Sequence, residues 1–571
     1  MILPGYRAMF TSLDVILNRN TVDIEEVETY EERVSRLTVN FDRSRTTIKT
    51  ALWNKGQTIP MVFVCTTLWH ENEAEMTTLL TSLIRLVKTV EDRRTKNLSD
   101  FYNIEMHILF DNCYEIWTDD TGNQHKVVNF FVKQFKRILK KLVIQERVSE
   151  VINTEVLMVT PYGGRIDYMF GHTSMHVHLK DAELVQKGKR WSQVMYMYYL
   201  IGWKMDACKF SMPGGQGKSE HLERKKTYIL ALDGDVRFKP SALELCLERM
   251  LRNDKVAAVC GRIHPVGGGW INWYQRFEYG VGHWLQKATE HVLGCVLCSP
   301  GCFSLMRVHH LRFNNVMARY RQYAETPMQK LQYDMGEDRW LCTLMLMQGG
   351  RIEYEAGSHC YTFAPEELEE FFKQRKRWGP STTANIYDLV QQQWLARKNN
   401  PYISFPYVCY QGFNLIFTII GLSTTLMMLS EAFNFAIKMP TDQAALAYII
   451  ICGPVIGLAT FLTFVYAILM VTVMIGLLVD AIECVADPNV LFFLALAVIY
   501  GIAALSHGEI VNLICGLIYF MFIPSCFIFL QLYMVSNLND ISWGTRQNAG
   551  EASAKKKDMG IFGGMIQVLR S

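Results

Sequence analysis

The sequence carries almost no net charge. Its 58 lysines and arginines nearly balance 55 aspartates and glutamates over 571 residues, a formal +3, so no global field argues for nucleic acid as a partner. No secretory leader is expected in its opening residues: Met1-Ile2-Leu3-Pro4-Gly5-Tyr6-Arg7 has neither a basic start nor an uninterrupted apolar core, so any membrane insertion is expected to depend on later helices. A disulfide framework is missing as well. Fifteen cysteines without dense regular spacing fit a reducing compartment better than a stapled scaffold. Cys295-x-x-Cys298, with Cys302 nearby, has no second CxxC pair to complete a zinc site.

Half of the residues are hydrophobic, and they are unevenly spread. Charged and apolar residues alternate through roughly the first 400 positions, and long uncharged runs dominate from about 408 to 535. Residues 1–58 are polar and mixed and form an N-terminal extension. Next, 59–400 is expected to be a soluble α/β domain and 401–535 a transmembrane helical region of four or five spans; 536–571 is a tail. Apolar runs at 408–430, 445–479, 490–506 and 511–533 are long enough, or nearly so, to span. The second would measure ~50 Å as one helix at ~1.5 Å per residue, against a ~30 Å hydrocarbon core, so a hairpin near Gly453-Pro454 is an alternative. Four spans return the Lys-rich tail to the cytosol and five leave it outside, and the sequence leaves that parity open.

Within the first half, the apolar, β-branched run Pro60–Thr67 precedes a helix-like stretch from Glu71 to Val90, the opening of a βαβ unit. A second strand, from Ile104, ends in Asp111. A third, Thr227–Leu232, ends in Asp233-Gly234-Asp235. Strands alternating with helices imply a mixed, mostly parallel sheet whose ligands lie beyond the strand carboxyl ends, where these acidic residues fall.

Three constellations carry chemistry. Two carboxylates in the Asp233-Gly234-Asp235 turn can hold Mg2+ or Mn2+ and, through it, a nucleotide diphosphate, although Asp and Gly are also ordinary turn residues. Gly336-Glu337-Asp338-Arg339-Trp340-Leu341 places the pair Glu337 and Asp338 at a helix start, where carboxylates are comfortable structurally and where Asp338 can serve as a general base. Gln374-Arg375-Lys376-Arg377-Trp378 lies on a helical segment leading towards the apolar half. It is either a cytosolic anchor or a site in which Arg377 binds a diphosphate and Trp378 offers its face to a sugar.

In this order, ahead of a helical membrane cluster, these motifs resemble the processive inverting glycosyltransferases with a GT-A-like catalytic domain. Longer strings narrow the resemblance. Cys65-Thr66-Thr67-Leu68-Trp69-His70-Glu71, Lys189-Arg190-Trp191-Ser192-Gln193-Val194-Met195-Tyr196, Cys260-Gly261-Arg262-Ile263-His264-Pro265, Phe277-Glu278-Tyr279, Gly282-His283-Trp284, Ser299-Pro300-Gly301-Cys302 and the tail motif Ser542-Trp543-Gly544-Thr545-Arg546 are similar to chitin synthases of the animal (insect and nematode) branch, over residues 60 to 546.

That resemblance implies transfer of N-acetylglucosamine from UDP-N-acetylglucosamine to the 4-hydroxyl of a growing β-1,4 chitin chain. It also implies a divalent metal, residence in a lipid bilayer (the plasma membrane) with the catalytic domain in the cytosol, and extrusion through the attached helices; homo-oligomerisation is left open. Carried over by motif, Thr66 and Glu71 border the uridine, Asp111 follows the second strand at the donor site, and Lys187 or Lys189, near Arg190, binds donor phosphates. Asp233 and Asp235 hold the metal side of the donor, and Asp338, paired with Glu337, is the base. Gln374, Arg377 and Trp378 complete the acceptor and diphosphate sites, with Cys302 and Trp284 near the acceptor sugars.

The sequence departs from the branch at Lys376, where arginine is usual, and at Gln547, where an acidic residue is common. It shows neither the large N-terminal membrane region nor the further C-terminal helices of animal members, so a fragment, an isoform and a reduced homologue are all expected forms. A synthase of another β-linked polysaccharide and a non-catalytic truncated membrane homologue are the competing readings.

Overall fold

A computed structural model describes residues 59–418 apart from 97–100, 119–122, 147–150, 203, 205–225 and 314–315, and beyond them mainly 488–524 with scattered residues between 420 and 534. The expected extension 1–58, the second half of the run 408–430, most of the run 445–479 and the tail 536–571 lie outside the described residues.

Ten strands form one sheet: β1 (Met61–Leu68), β2 (Asn103–Phe110), β5 (Val151–Thr160), β6 (Gly163–Phe170), β7 (Thr173–Lys180), β8 (Thr227–Asp233), β9 (Val236–Phe238), β10 (Val256–Val266), β11 (Phe303–Arg307) and β12 (Arg351–Phe363). Their spatial order is β5-β6-β7-β2-β1-β8-β11-β10-β12-β9, and β3 (Tyr114–Thr118) and β4 (Gln124–Val128) make a separate antiparallel pair. The pairing directions orient seven of the ten strands one way and β6, β9 and β11 the other, so the sheet is mixed and mostly parallel.

The central strands are apolar on both faces, as expected where helices cover both sides. Along β1 the side chains alternate: Val62, Val64 and Leu68 join one core, and Phe63 and Cys65 join the other. The first core is covered by α1 (Glu73–Thr95) and α2 (Phe130–Gln145). α1 starts at a capping box in which Asn72 and Glu75 satisfy each other's backbone N–H groups, and α2 starts at Asn129, whose side chain accepts from Val132 N. Leu79, Leu80, Leu83 and Ile84 are wholly buried beneath α1, each contributing about 1.5–3 kcal/mol of hydrophobic stabilisation.

The remaining helices that matter for function are α3 (Lys189–Val194), α4 (Pro240–Arg252), α5 (Gly269–Val281), α6 (Glu337–Met347) and α7 (Leu368–Gln391). Two apolar helices follow, α8 (Pro488–Ser506) and α9 (Val511–Pro524). α9 lies against α5: Trp270 stacks on Phe522 at 4.3 Å and Tyr274 on Tyr519 at 4.8 Å. A Cβ at Gly516 would come within 2.8 Å of the Phe277 ring, so the glycine permits this close approach. Among the described residues no helix is long and apolar enough to cross a membrane.

Candidate active site

The carboxyl ends of β1, β2 and β8 lie side by side because β1 pairs in parallel with both neighbours, in the register Thr66↔Ile108 and Thr67↔Asp233. β8 ends in Asp233, the chain turns at Gly234, and β9 leaves to pair with β12, where Thr362 Oγ1 donates to Asp235 Oδ2 at 3.1 Å. The turn is pressed against the loop after β1. A Cβ on Gly234 would sit 2.7 Å from Glu71 Cδ and from Leu68 Cδ2. Glu71 is itself held by the Trp69 N–H at 2.5 Å. Thr66 is fully buried beside them, and its Oγ1 has no hydrogen-bond partner among the described residues.

Asp111 acts here as a clamp. Its Oδ1 accepts from Lys180 Nζ at 2.9 Å and its Oδ2 from Gly188 N at 2.5 Å, and Lys180 Nζ also donates to Ser192 Oγ at 2.8 Å. Gly188 stands at φ 110°, a conformation that glycine adopts without strain. The clamp thereby fixes the start of α3 and aims its first residue. Lys189 Nζ lies 2.5 Å from Asp233 Oδ1 and 3.5 Å from Glu337 Oε1. Burial opposes its charge, but Asp233, Glu337 and Asp338 outweigh that and hold the ammonium well above the usual lysine range. Lys187, two residues earlier, is exposed.

Glu337 and Asp338 open α6, where the helix N-terminus favours negative charge. Asp338 Oδ1 accepts from Arg339 N at 2.8 Å, Oδ2 accepts from Gly301 N at 3.4 Å, and Cys298 Sγ lies 3.8 Å from Oδ2. Burial pushes the Asp338 carboxyl up, yet Arg339, Lys189 and Arg377 overcome this and bring it below the ordinary carboxylate value. It is therefore ionised at neutral pH. The 298–302 loop links the two acidic centres: its Gly301 faces Asp338, and its Cys302 carbonyl accepts from Asp233 N at 3.4 Å. Burial, with Asp233 beside it, drives the Cys302 thiol well up, as burial and Asp338 do for Cys298, so both stay protonated at neutral pH.

The Gln374–Trp378 string lies on α7. Arg377 reaches the site through its charge on Asp338. Arg375 pairs with Glu278 at 2.6 Å and lies 4.6 Å over the Trp378 ring. Lys376 is buried, and Gln374 Oε1 is buried without a hydrogen-bond partner among the described residues. Trp284 is placed elsewhere: it is buried with Phe277, Ala503, Ala504 and Cys515, at the contact between the catalytic domain and the C-terminal helices.

Thus Asp233, Lys189, Glu337, Asp338 and Cys302 are directly connected, with Glu71 and Asp235 at the same turn. Lys180 escaped the sequence reading, and Gly301 and Arg339 stood in its motifs without an assigned role. Arg339 adjoins Asp338 in the chain and could have been found by asking what keeps a buried carboxylate ionised. Nothing in the sequence links Lys180 to Asp111. Arg190, beside Lys189, is a strut, donating to Tyr320 O at 2.9 Å and Gln322 O at 2.8 Å and pairing with Asp334 at 3.0 Å.

For a divalent metal the nearby donors are the oxygens of Asp233 and Asp235. Among the described residues no cluster of three or more His, Cys, Asp or Glu could hold a metal ion. One or two carboxylates completed by substrate phosphates are nevertheless the arrangement in which Mg2+ is commonly bound, so the donor set fits a hard cation that arrives with a diphosphate.

The family model for chitin synthase matches residues 173–479. Two chitin synthases of Caenorhabditis elegans are each 39% identical to this chain, over 517 and 522 residues. These alignments cover 87% of this chain but only 39% and 30% of the relatives, so the chain spans less than two fifths of their length. A mannosyltransferase of Pyrobaculum calidifontis, solved with GDP-Man and Mn2+, aligns over 84% of this chain and 94% of its own at 10% identity and a TM-score of 0.34, a likeness too distant to carry residue roles. The chain belongs to the chitin synthase family, with animal-type nematode enzymes among its relatives.

Proposed function

We propose that this chain is the catalytic part of a processive, inverting synthase that transfers N-acetylglucosamine from UDP-N-acetylglucosamine to the 4-hydroxyl of a β-1,4 chitin chain. The observation that carries the reading is Lys189, whose ammonium joins Asp233 at the end of β8 to Glu337 at the start of α6 and so draws a phosphate-binding turn and a base-bearing helix onto one point. The GT-A-like character of the domain, the divalent metal and the roles of the individual residues belong to the same proposal.

In this mechanism Lys189 exchanges its bridge between carboxylates for the oxygens of the donor diphosphate, and Arg377, whose charge reaches Asp338, adds a second cation for them. A Mg2+ or Mn2+ ion at Asp233 and Asp235 would neutralise charge on departing UDP. Thr66 and Glu71, at the end of β1, stand beside the nucleoside. Asp338 takes the proton of the acceptor 4-hydroxyl as that oxygen attacks the anomeric carbon from the face opposite UDP, so an α-linked donor becomes a β-linked product in one displacement. Gln374, whose buried oxygen has no partner among the described residues, receives a hydroxyl of the acceptor, and the Trp378 ring supports a sugar face.

Extrusion through a multi-pass region at 401–535, from a cytosolic catalytic domain into or across the plasma membrane, extends the proposal. It is supported by the exposed apolar side chains of α8 and α9, among them Phe492, Ile502, Ile514 and Leu517.

The test is incorporation of labelled N-acetylglucosamine from the UDP donor into chitinase-sensitive polymer by detergent-solubilised protein with Mg2+ or Mn2+, beside Asp338→Asn. Polymer from the parent and none from the variant supports the proposal. Chitinase-resistant polymer points to another β-linked product, and a folded, donor-binding parent without polymer points to a non-catalytic homologue.

A further inference from the structure

A cavity of about 220 Å3 lies where the catalytic domain meets the turn between α8 and α9, on a part of the sheet that the proposed chemistry does not use. Sites for drug-sized ligands begin near roughly 300 Å3, so the space suits a small group. One wall is a row across three strands: His264 of β10 is in register with Tyr361 of β12, and Tyr361 with Arg237 of β9. The row is packed side by side, with the His264 and Tyr361 rings stacked at 4.9 Å and the Arg237 guanidinium 4.8 Å over Tyr361. Side chains alternate along a strand, so Tyr361 and Arg237 face away from Thr362, the residue that holds Asp235. The carboxylate turn meets β12 at Thr362, one residue along the strand from the cavity wall.

The lining is strongly cationic. Arg237, Arg262 and Arg276 face one carboxylate, Glu509, which is already taken by Arg262 at 2.6 Å and Asn512 at 2.8 Å. Neither Arg237 nor Arg276 has an ion pair among the described residues. The field is felt at His264, which burial, then Arg262, His359 and Arg276, push down to about 3, so its ring is neutral at physiological pH. An independent sign of a missing ligand is Asn272 of α5. Its side chain lines the cavity and is fully buried, and among the described residues neither its amide oxygen nor its amide nitrogen has a hydrogen-bond partner. A buried amide in that state is costly unless something meets it.

We infer that this cavity is a second, anion-binding site that takes a phosphate group, with Arg237 and Arg276 supplying charge and Asn272 a hydrogen-bond donor. The phosphate is either that of a lipid headgroup, given the apolar α8 and α9 beside it, or a free phosphate. Occupancy would bridge β9 and α5 of the catalytic domain to the α8–α9 turn and so tie the two parts together.

The experiment uses the full chain in detergent at constant ionic strength and reads the unfolding midpoint against inorganic phosphate, dioctanoyl phosphatidic acid and dioctanoylglycerol, the last lacking the headgroup. The inference expects a saturable rise with phosphate, phosphatidic acid or both, and none with dioctanoylglycerol. A rise with phosphate assigns the free anion as source; a rise confined to phosphatidic acid assigns the headgroup. Arg237→Gln with Arg276→Gln should weaken the effective probe at least about tenfold, as expected on losing charge-assisted hydrogen bonds, with UDP binding unchanged. The double lysine variant should keep most of the affinity. Arg237→Gln alone, at an exposed residue, decides the matter should the double variant fail to bind UDP. No saturable rise with either phosphate probe, or equal affinity in the glutamine variants, overturns the inference.

Discussion

Lys189 Nζ and Asp233 Oδ1 lie 2.5 Å apart, although 44 positions separate the two residues in the chain and they begin and end different elements. The contact exists because Asp111 fixes the start of α3 by accepting from Gly188 N and Lys180, while the register of β1 with β8 fixes Asp233. Replacing Lys189 by Met leaves Asp233 and the buried Glu337 without their shared cation. Donor turnover is expected to fall by roughly 10–100-fold, the equivalent of losing a charge-assisted hydrogen bond. Lys189→Arg should recover part of it, as steady-state kinetics with the UDP donor would reveal.

Asp338→Asn keeps the shape of the side chain and removes the proton acceptor. Turnover should fall by roughly 10^2–10^4 while UDP affinity, followed by calorimetry, changes little. A variant that loses UDP binding to the same degree would place Asp338 in donor binding.

The pH dependence follows from the same residue. Burial raises the Asp338 carboxyl, but Arg339, Lys189 and Arg377 bring it below its ordinary value. The carboxylate thus stays charged as pH falls through the ordinary carboxylate range, and the stability linked to that charge is present above the unfolded value and lost only as pH falls through the lower folded one. Arg339→Met removes the largest of the lowering charges and should move the acid limb of the kcat/KM profile to higher pH. An unmoved limb would assign it to another group.

Gly234→Ala tests the close approach of the carboxylate turn to the loop after β1. The added methyl meets Glu71 Cδ and Leu68 Cδ2 at 2.7 Å, and the end of Glu71 is anchored by Trp69 N. The expected cost is about 1–3 kcal/mol in stability, measured by chemical denaturation, together with weaker UDP binding. Glu71→Ala in the same chain removes one of the two clashes and should restore part of the stability but not the binding.

Arg375→Lys retains charge while giving up the planar group that lies over Trp378 at 4.6 Å and pairs with Glu278. The stacking is worth about 1 kcal/mol. Shorter polymer at a nearly unchanged rate of donor consumption is the expected result, and product length by gel filtration would report it.

The order of apolar strands, the acidic residues at their ends and the starting point of α6 were legible in the chain, because alternation, run length and helix-start chemistry are local properties. β1, β2 and β8 lie within a residue or so of the expected runs, and Glu337 and Asp338 open a helix as their motif suggested. Three antiparallel members of the sheet, β6, β9 and β11, were not legible, since strand direction depends on which distant neighbour a strand meets. The same holds for roles that belong to contacts. Asp111 was readable as a carboxylate after a strand, but its engagement with Lys180 and Gly188 depends on β2 and β7 lying side by side. Trp284 read as a sugar platform, whereas the packing of α5 against α8 and α9 puts it in their common core.

By itself, then, the sequence determined which residue types stand at the carboxyl ends of which strands, and through its long strings the family, since both are written in consecutive residues. Only the tertiary structure decided that Lys189 joins Asp233 to Glu337, that Asp338 stays ionised, and that three arginines converge on a cavity beside α9. Charges interact through distance and burial, and neither is a property of position along the chain.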